Sequence, residues 1–261
     1  IISFFSVDLY TRYTNHILGM KAVIVFFSLI SIVFGVIIWF VIKDSMGKSI
    51  ETSIGKVTLE EIVKVLKMPS VWAVALIVLL AYTSHRNTDF LTPYLTKICG
   101  VNTALGALLS TIRFYSLRPI GSVVAGFVAD RISVSKTMIY IFIIMIVTNV
   151  LYIILPGNPN VLYFVVTNMV VLMIACFAAK GIYYALLEEG KIPMAFTGTA
   201  VGVISTISYT PDIFAPLLGG YFLDLHSGVK GYNYIFLLSA ISAALGIIAI
   251  LWFRKSLAKS Q

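Results

Sequence analysis

The stretch Gly126-Phe-Val-Ala-Asp130-Arg131-Ile-Ser133-Val-Ser-Lys136 lies between two long apolar segments, 105–128 and 136–155. It holds a glycine, an Asp-Arg pair and then a lysine. A helix needs about 20 mostly apolar residues to cross the hydrocarbon of a bilayer, and each flanking segment reaches that length. The charged stretch is therefore predicted to be a short turn at a membrane surface, where one spanning helix ends and the next begins.

The composition of the whole chain agrees with a membrane protein. Of the 261 residues 59% are hydrophobic and 11% are charged, and the mean hydropathy is +0.99. Soluble globular domains do not have such a composition. Helices satisfy their own backbone hydrogen bonds in lipid, and the apolar runs are too long for the strands of a barrel. We predict an all-α polytopic membrane protein with seven transmembrane helices, near 20–42, 70–92, 105–128, 136–155, 160–187, 198–223 and 233–253.

The distribution of Lys and Arg predicts the orientation. The loops 43–69, 129–136, 188–197 and 254–261 hold eleven of these residues, and the opposite set of loops holds four. Positive loops face the cytoplasm, so the carboxy terminus is predicted to be cytoplasmic. The net charge of +8 is spread over loops, which gives no indication of a nucleic-acid partner. Short loops without a glycosylation signal on the outer side fit a bacterial inner (plasma) membrane.

One long polar loop divides the chain. Residues 1–42 are predicted to be the end of an amino-terminal half, with its last helix near 20–42. Residues 43–69 form a cytoplasmic central loop, and 70–261 form a six-helix bundle. Within the loop, the segment 58–69 reads as a short amphipathic helix at the membrane surface, with Thr58 as its cap and Pro69 as its end. The first residue is Ile, and the start of the chain has no signal-peptide pattern. Residues 1–15 resemble the end of a hydrophobic segment, so we expect an amino-terminally truncated piece.

The stretch 126–136 resembles the signature loop of the major facilitator superfamily, which follows the second helix of each six-helix half. Two positions differ, because Ser133 stands at the second glycine and Ser135 at a basic position. A second resemblance covers the run Gly198-Thr-Ala-Val-Gly202 and the run Gly220-Tyr-Phe-Leu-Asp224. Both runs are similar to the eleventh helix of organophosphate/hexose-phosphate antiporter-type members. The resemblance covers about 20–253 and implies that the seven helices correspond to helices 6–12 of a twelve-helix fold.

The resemblance also implies a gate. Gly126, Asp130 and Arg131 belong to the signature loop, and in the superfamily the Asp faces the positive end of the eleventh helix, here near 197–199. Such a contact between a carboxylate and a helix terminus contributes about 0.3–1 kcal/mol when exposed. We therefore expect Gly126, Asp130 and Arg131 to stabilise one of the two transport states.

Arg86 is the first candidate for substrate binding. It lies in the polar run 82–89, in the upper half of an otherwise apolar span, and Arg can bind carboxylate or phosphate through a planar fork. Charged side chains within a membrane are energetically costly, so an arginine at this position suggests a functional site. Two other interpretations remain open: an internal pair with Asp89 at i,i+3, or an Arg side chain that extends to the membrane rim.

Two more arginines lie in the span 105–128. Arg113 and Arg118 are five residues apart and therefore point about 140° apart on a helix. They cannot both line one cavity, and each either serves the substrate or forms an ion pair between helices. Pro119 follows Arg118, so a kink is expected there.

Asp212 is the acidic candidate. It lies mid-span between Pro211 and Pro216 and follows Tyr209, which suggests an interrupted helix around a polar site. It either accepts a proton or neutralises one of the arginines. Lys180 lies near the inner end of its span and is expected to extend toward the membrane surface. The two cysteines, Cys99 and Cys176, are expected to stay unpaired.

We interpret the chain as part of a secondary active transporter that moves a small organic anion, a sugar phosphate or an organic acid, by alternating access. The predicted partners are this substrate, a proton or counter-anion, and membrane lipid; we expect no metal, no cofactor, no enzyme activity and a monomer at full length. Two alternatives remain: a proton-coupled exporter of lipophilic compounds, and a transporter-like sensor or scaffold that binds without flux. The predicted substrate-binding residues are Arg86, Asp89, Arg113, Arg118, Tyr209 and Asp212.

Overall fold

The computed structural model describes residues 16–41, 59–155 and 157–259, and every regular element in these ranges is a helix. The chain divides into two units, 1–55 and 56–261. The α-helices of the described residues are α1 (His16–Val41), α2 (Leu59–Leu66), α3 (Pro69–Asn87), α4 (Leu91–Lys97), α5 (Thr103–Tyr115), α6 (Leu117–Ile132), α7 (Val134–Ile154), α8 (Leu162–Ile182), α9 (Leu186–Glu189), α10 (Met194–Ser208), α11 (Pro211–Leu225) and α12 (Val229–Lys259). The predictions for 1–15, the loop 43–57 and the Thr58 cap lie outside the described residues.

Five helical segments of the described residues are long and apolar enough to cross a membrane. A sixth is obtained if α2 and the run Pro69–Lys97, which meet at an angle of 75°, are counted as one bent span. The prediction of an all-helical polytopic membrane protein is thus confirmed. The five segments are Lys21–Val41, Val134–Ile154, Pro159–Glu189, Met194–Leu225 and Val229–Leu257.

The predicted span 105–128 is not among these candidates. The structure divides it into α5 and α6, with the break at Ser116 rather than at Pro119. Arg113 and Arg118 lower the hydropathy of this segment on either side of the break. The count of seven spans therefore stays a prediction, and this segment is a pair of helices instead of one continuous helix.

The amphipathic segment before the bundle forms α2, as expected. Glu60 and Glu61 occupy its first turn, where a helix terminus favours negative charge. The Nε1 of Trp72 donates a hydrogen bond to the Leu66 carbonyl at 2.7 Å and ties the end of α2 to α3. Pro69 is the first residue of α3, a position that suits proline because no amide proton is needed there.

Within the unit 56–261, α12 packs on α7 and α3, and α6 packs on α8. Aromatic rings fill part of this core. The rings of Tyr152 and Phe236 stack with centroids 4.6 Å apart, and Tyr94 meets Phe236 edge-on at 5.4 Å. Offset and edge-on arrangements are the favoured ones for aromatic pairs.

The contact between α6 and α8 depends on glycine. A Cβ added at Gly121 would lie 2.7 Å from the Ile174 carbonyl oxygen, and one added at Gly181 would lie 2.9 Å from the Ser122 Cα. Small residues at such positions let the backbones of membrane helices approach closely. Gly121 and Gly181 thus allow close packing of α6 on α8, whereas a Cβ at Gly126 would meet no described heavy atom within 4 Å.

We predict that Gly121→Ala lowers the free energy of unfolding by about 1–3 kcal/mol, because the new methyl group meets backbone atoms of α8 that cannot rotate away. The matched control is Gly202→Ala in α10, where an added Cβ has no described heavy atom within 4 Å. The control should leave stability unchanged or slightly raised. Thermal unfolding of both purified variants in the same detergent checks this; equal midpoints would contradict the packing argument.

Candidate functional site

The polar side chains in the last turns of α3 point toward neighbouring helices. Ser84 donates a hydrogen bond to the Ser239 carbonyl at 3.0 Å, and the Asn87 amide donates to the Ser239 hydroxyl at 2.9 Å. Both bonds are buried and join α3 to α12. The polar run 82–89 therefore faces neighbouring helices, as its composition predicted, and part of it has a structural role.

Arg86 lies between two carboxylates. Its Nη1 is 2.8 Å from Asp89 Oδ2, and its Nε is 2.7 Å from Asp212 Oδ1. The Tyr82 hydroxyl donates to the same Asp212 carboxylate, at 3.0 Å to Oδ1. The structure thus contains the i,i+3 pair with Asp89 and the neutralisation of an arginine by Asp212, the two structural alternatives that the sequence left open.

Arg113 and Arg118 have different surroundings. They lie on separate helices, α5 and α6, so the divergence predicted for one continuous helix does not apply. Arg113 is buried, its Nη1 donates to the Thr88 carbonyl at 2.5 Å, and its Nη2 is 3.9 Å from Asp89. Its guanidinium also lies over the Phe114 ring, 4.5 Å from the centroid. Arg118 is exposed on α6 and has no ion pair among the described residues. The structure therefore brings Arg113, but not Arg118, to Asp89.

The helix interruption near Asp212 is present. Helix α10 ends at Ser208 and α11 begins at Pro211, so Asp212 lies in the first turn of α11. The positive end of a helix stabilises a carboxylate at that position. Ser208 donates to the Ala75 carbonyl at 3.0 Å and fixes the break against α3. This geometry places the Asp212 carboxylate opposite Arg86.

Arg86, Arg113, Asp89 and Asp212 form one polar cluster. Lys180 also belongs to this cluster, although its sequence position predicted a side chain at the membrane surface. It is half-buried, and its Nζ lies 5.1 Å from the centroid of the Tyr82 ring. The expected extension toward the membrane surface is therefore wrong. The sequence did contain a signal, because Tyr183 and Tyr184 follow Lys180 at i+3 and i+4 and share its side of the chain.

Three tyrosine hydroxyls meet beside Lys180. The Tyr184 hydroxyl is 2.7 Å from the Ser205 hydroxyl and donates to the Tyr209 hydroxyl at 3.3 Å. The Tyr183 hydroxyl lies 3.4 Å from that of Tyr209. Of these residues only Tyr209 was a predicted site residue. The cluster joins the end of α8 to the break between α10 and α11, and it offers hydroxyl groups that both donate and accept.

The predicted gate has an unexpected partner. Asp130 and Arg131 are exposed at the end of α6, Gly126 lies one turn earlier, and no described side chain forms an ion pair with Asp130 or Arg131. Glu189 instead accepts hydrogen bonds from the backbone N–H of Ser135 at 2.8 Å and from its hydroxyl at 2.6 Å. Glu189 thus binds the first turn of α7, where a carboxylate is favoured.

Ser133 has a strained backbone. Its φ is +113°, a region that favours glycine, and it stands where the superfamily loop has its second glycine. Its hydroxyl accepts a weak hydrogen bond from the Lys136 N–H at 3.4 Å and caps α7. The turn between α6 and α7 thus keeps the backbone conformation that glycine would adopt, although serine occupies it.

Comparison with known proteins finds similarity to bacterial inner membrane proteins. No family model matches it. It is 30% identical over 266 residues to inner membrane protein YihN of Escherichia coli K12, across the whole of this chain and 63% of that protein. It is 23% identical over 241 residues to inner membrane protein YqcE of the same organism, across 90% of this chain and 56% of that protein. The chain is a polytopic integral membrane protein. It spans about three-fifths of the length of these two relatives.

We predict that Ser133→Gly raises the unfolding midpoint, because it removes a backbone strain of about 1–3 kcal/mol at the cost of one weak cap. Ser133→Ala is the control, since it removes the same hydroxyl and retains the strained φ. It should be no more stable than the unchanged protein. If both variants shift the midpoint equally, the strain is not the cause.

Arg86 and Asp212 should be energetically coupled. We expect Arg86→Gln and Asp212→Asn each to destabilise the protein, and the double variant to lose less than the sum, with a coupling energy of about 0.5–3 kcal/mol. The lower part of this range is expected because the two side chains are 30% and 46% exposed. Denaturant unfolding of the four proteins in mixed micelles measures the coupling; strict additivity would show that the pair contributes nothing.

Proposed function

We propose that the chain is part of a secondary active transporter that moves a small organic anion, such as a sugar phosphate or an organic acid, by alternating access. The observation that carries the proposal is the charge balance of the predicted spans. Apart from Lys21 and Lys136 at span ends, the spans contain four basic side chains, Arg86, Arg113, Arg118 and Lys180, against two acidic ones, Asp89 and Asp212. All of these except Arg118 take part in one cluster. An excess of cations within a membrane is expensive unless an anion joins them.

The surroundings of the cluster support movement. The break between α10 and α11 lies next to Asp212, and interrupted helices that meet at a polar site are typical of transporters. Helices α6 and α8 approach through Gly121 and Gly181 without large side chains between them. On this proposal the seven predicted spans are helices 6–12 of a twelve-helix fold, and the rest of the site comes from the other half.

The roles of the site residues follow from their contacts. Arg86 and Arg113 supply positive charge to the proposed substrate site, and Tyr209 supplies a hydroxyl. Arg118 would add positive charge from α6, without an ion pair among the described residues. Asp89 and Asp212 keep Arg86 charged and in place, and either carboxylate can take a proton when the substrate weakens its ion pair. No enzyme activity and no cofactor are part of the proposal; the partners are the substrate, a proton or counter-anion, and lipid, and the full-length protein acts as a monomer.

The gate of the proposed transporter consists of Gly126, Asp130 and Arg131 together with the bond between Glu189 and Ser135. Glu189 ends α9, and Ser135 is the second residue of α7, so this bond joins two helix ends on the predicted cytoplasmic side. A contact of about 1–2 kcal/mol present in only one state would change the ratio of the two states several-fold.

The test is uptake and counterflow in proteoliposomes that contain the full-length protein. The panel consists of glucose 6-phosphate, glycerol 3-phosphate, gluconate, citrate, glucose and a lipophilic cation, tetraphenylphosphonium. We expect flux of at least one anion, and at least about tenfold less of glucose, because an unpaired cation in the cavity opposes a neutral substrate. Flux of the cation would favour an exporter of lipophilic compounds, and binding of an anion without flux would favour a sensor.

A further inference from the structure

We propose that Lys180, not Arg86, binds the anionic group of the substrate, and that Arg86 serves mainly to hold the two carboxylates. The inference rests on the proposed function, because it assigns a residue to the anion that the transporter would carry. It departs from the sequence-based expectation, in which Arg86 was the anion ligand. Four observations carry it.

The first observation is that the arginines of the cluster are already neutralised. Arg86 contacts Asp89 and Asp212 at 2.8 and 2.7 Å. Arg113 lies 3.9 Å from Asp89 and donates to the Thr88 carbonyl. Two arginines therefore share two carboxylates. An anion that bound to Arg86 would have to displace a carboxylate already held in place, which would leave that carboxylate unpaired in the membrane.

The second observation is the remaining charge. With two acids set against two arginines, Lys180 is the remaining cation of the cluster, and no described carboxylate lies within 4 Å of its ammonium. Its contact is the face of the Tyr82 ring, at 5.1 Å. A ring face attracts a cation but accepts no strong hydrogen bond, and an ammonium has three donors. A half-buried ammonium with unused donors is the kind of group that an anion can satisfy.

The third observation is a second cation on the adjacent helix. Arg118 lies on α6, which packs against α8, the helix that carries Lys180. Arg118 is exposed and has no ion pair among the described side chains. A second positive charge on the adjacent helix adds to the attraction for an anion, and it would favour a doubly charged group such as a phosphate over a single carboxylate.

The fourth observation is the set of hydroxyls beside Lys180. The hydroxyls of Tyr183 and Tyr184 both lie within hydrogen-bond distance of the Tyr209 hydroxyl, and the Ser205 hydroxyl contacts that of Tyr184. The Tyr209 ring also packs on Tyr82, with centroids 4.8 Å apart. An anion at Lys180 would therefore have donors and acceptors for hydroxyl groups on its carbon skeleton. A lysine is a compact charge without the directional fork of arginine, so it can bind phosphate and carboxylate alike.

The test uses the full-length protein in proteoliposomes with glucose 6-phosphate and gluconate as probes. We compare Lys180→Gln and Lys180→Arg with the exposed control Lys230→Gln. Lys180→Gln should raise KM at least about tenfold and leave Vmax within about twofold, because a hydrogen bond to a charged group is lost. Lys180→Arg should be intermediate, and the control should be unchanged. A KM for Lys180→Gln within about twofold of the unchanged protein would overturn the assignment.

A chemical rescue separates the charge from the fold. Lys180→Cys is treated with a methanethiosulfonate that adds either an ethylammonium or an ethylsulfonate group of equal length; the native Cys99 and Cys176 are buried. Restoration of probe uptake by the cationic reagent alone supports the assignment, whereas no restoration, or equal effects of both reagents, contradicts it. If the unchanged protein carries glucose or tetraphenylphosphonium but neither anion, the proposed function itself fails. If it carries an anion and Lys180 is indifferent, only this inference fails.

Discussion

Arg86 bridges the carboxylates of Asp89 and Asp212, and the rest of the site depends on this interaction. A charge in a membrane span is costly without a partner, and the partners of Arg86 come from the turn Thr88–Phe90 after α3 and from the first turn of α11. The break between α10 and α11 is needed to place Asp212, and Ser208 fixes that break to α3. A partly exposed ion pair is weak evidence for stability, but it specifies which helix ends must meet.

The connection between α6 and α7 shows a different constraint. The turn must reverse the chain within one or two residues, and Ser133 adopts a positive φ to do so. Serine has a backbone strain energy at this φ that glycine would not have, and the weak cap on α7 offsets only part of that energy. The contact between Glu189 and Ser135 lies two residues further along the chain. Strain and a dissociable bond thus occur together at the end of two helices, and such a connection can have two arrangements of similar free energy.

Much of the fold could be predicted from sequence, because apolar length and the positions of Lys and Arg act locally. The break at Ser208 and Pro211 was also predictable, since proline acts on its own helix. The break at Ser116 was not, because the proline that suggested a kink lies three residues later and fits the first turn of α6. The partners of the charges depend on contacts between distant helices. Arg86 and Asp212 are far apart in sequence, so the pattern showed that both needed partners but not that they were partners of each other.

Lys180 shows most clearly what a sequence leaves undecided. Its place near the end of a span favoured a side chain that extends to the membrane surface, and this argument considers only the helix axis. The structure adds the neighbours: the Tyr82 ring on α3, and the tyrosines that follow Lys180 itself. Arginine and lysine suit different roles in the site because their donor groups differ. The fork of Arg86 suits two fixed carboxylates, whereas the three mobile donors of a lysine suit a group that must arrive and leave. On the proposed function the bound anion must also be released, and a cation with no resident carboxylate can release it without breaking the contacts that hold its helices together.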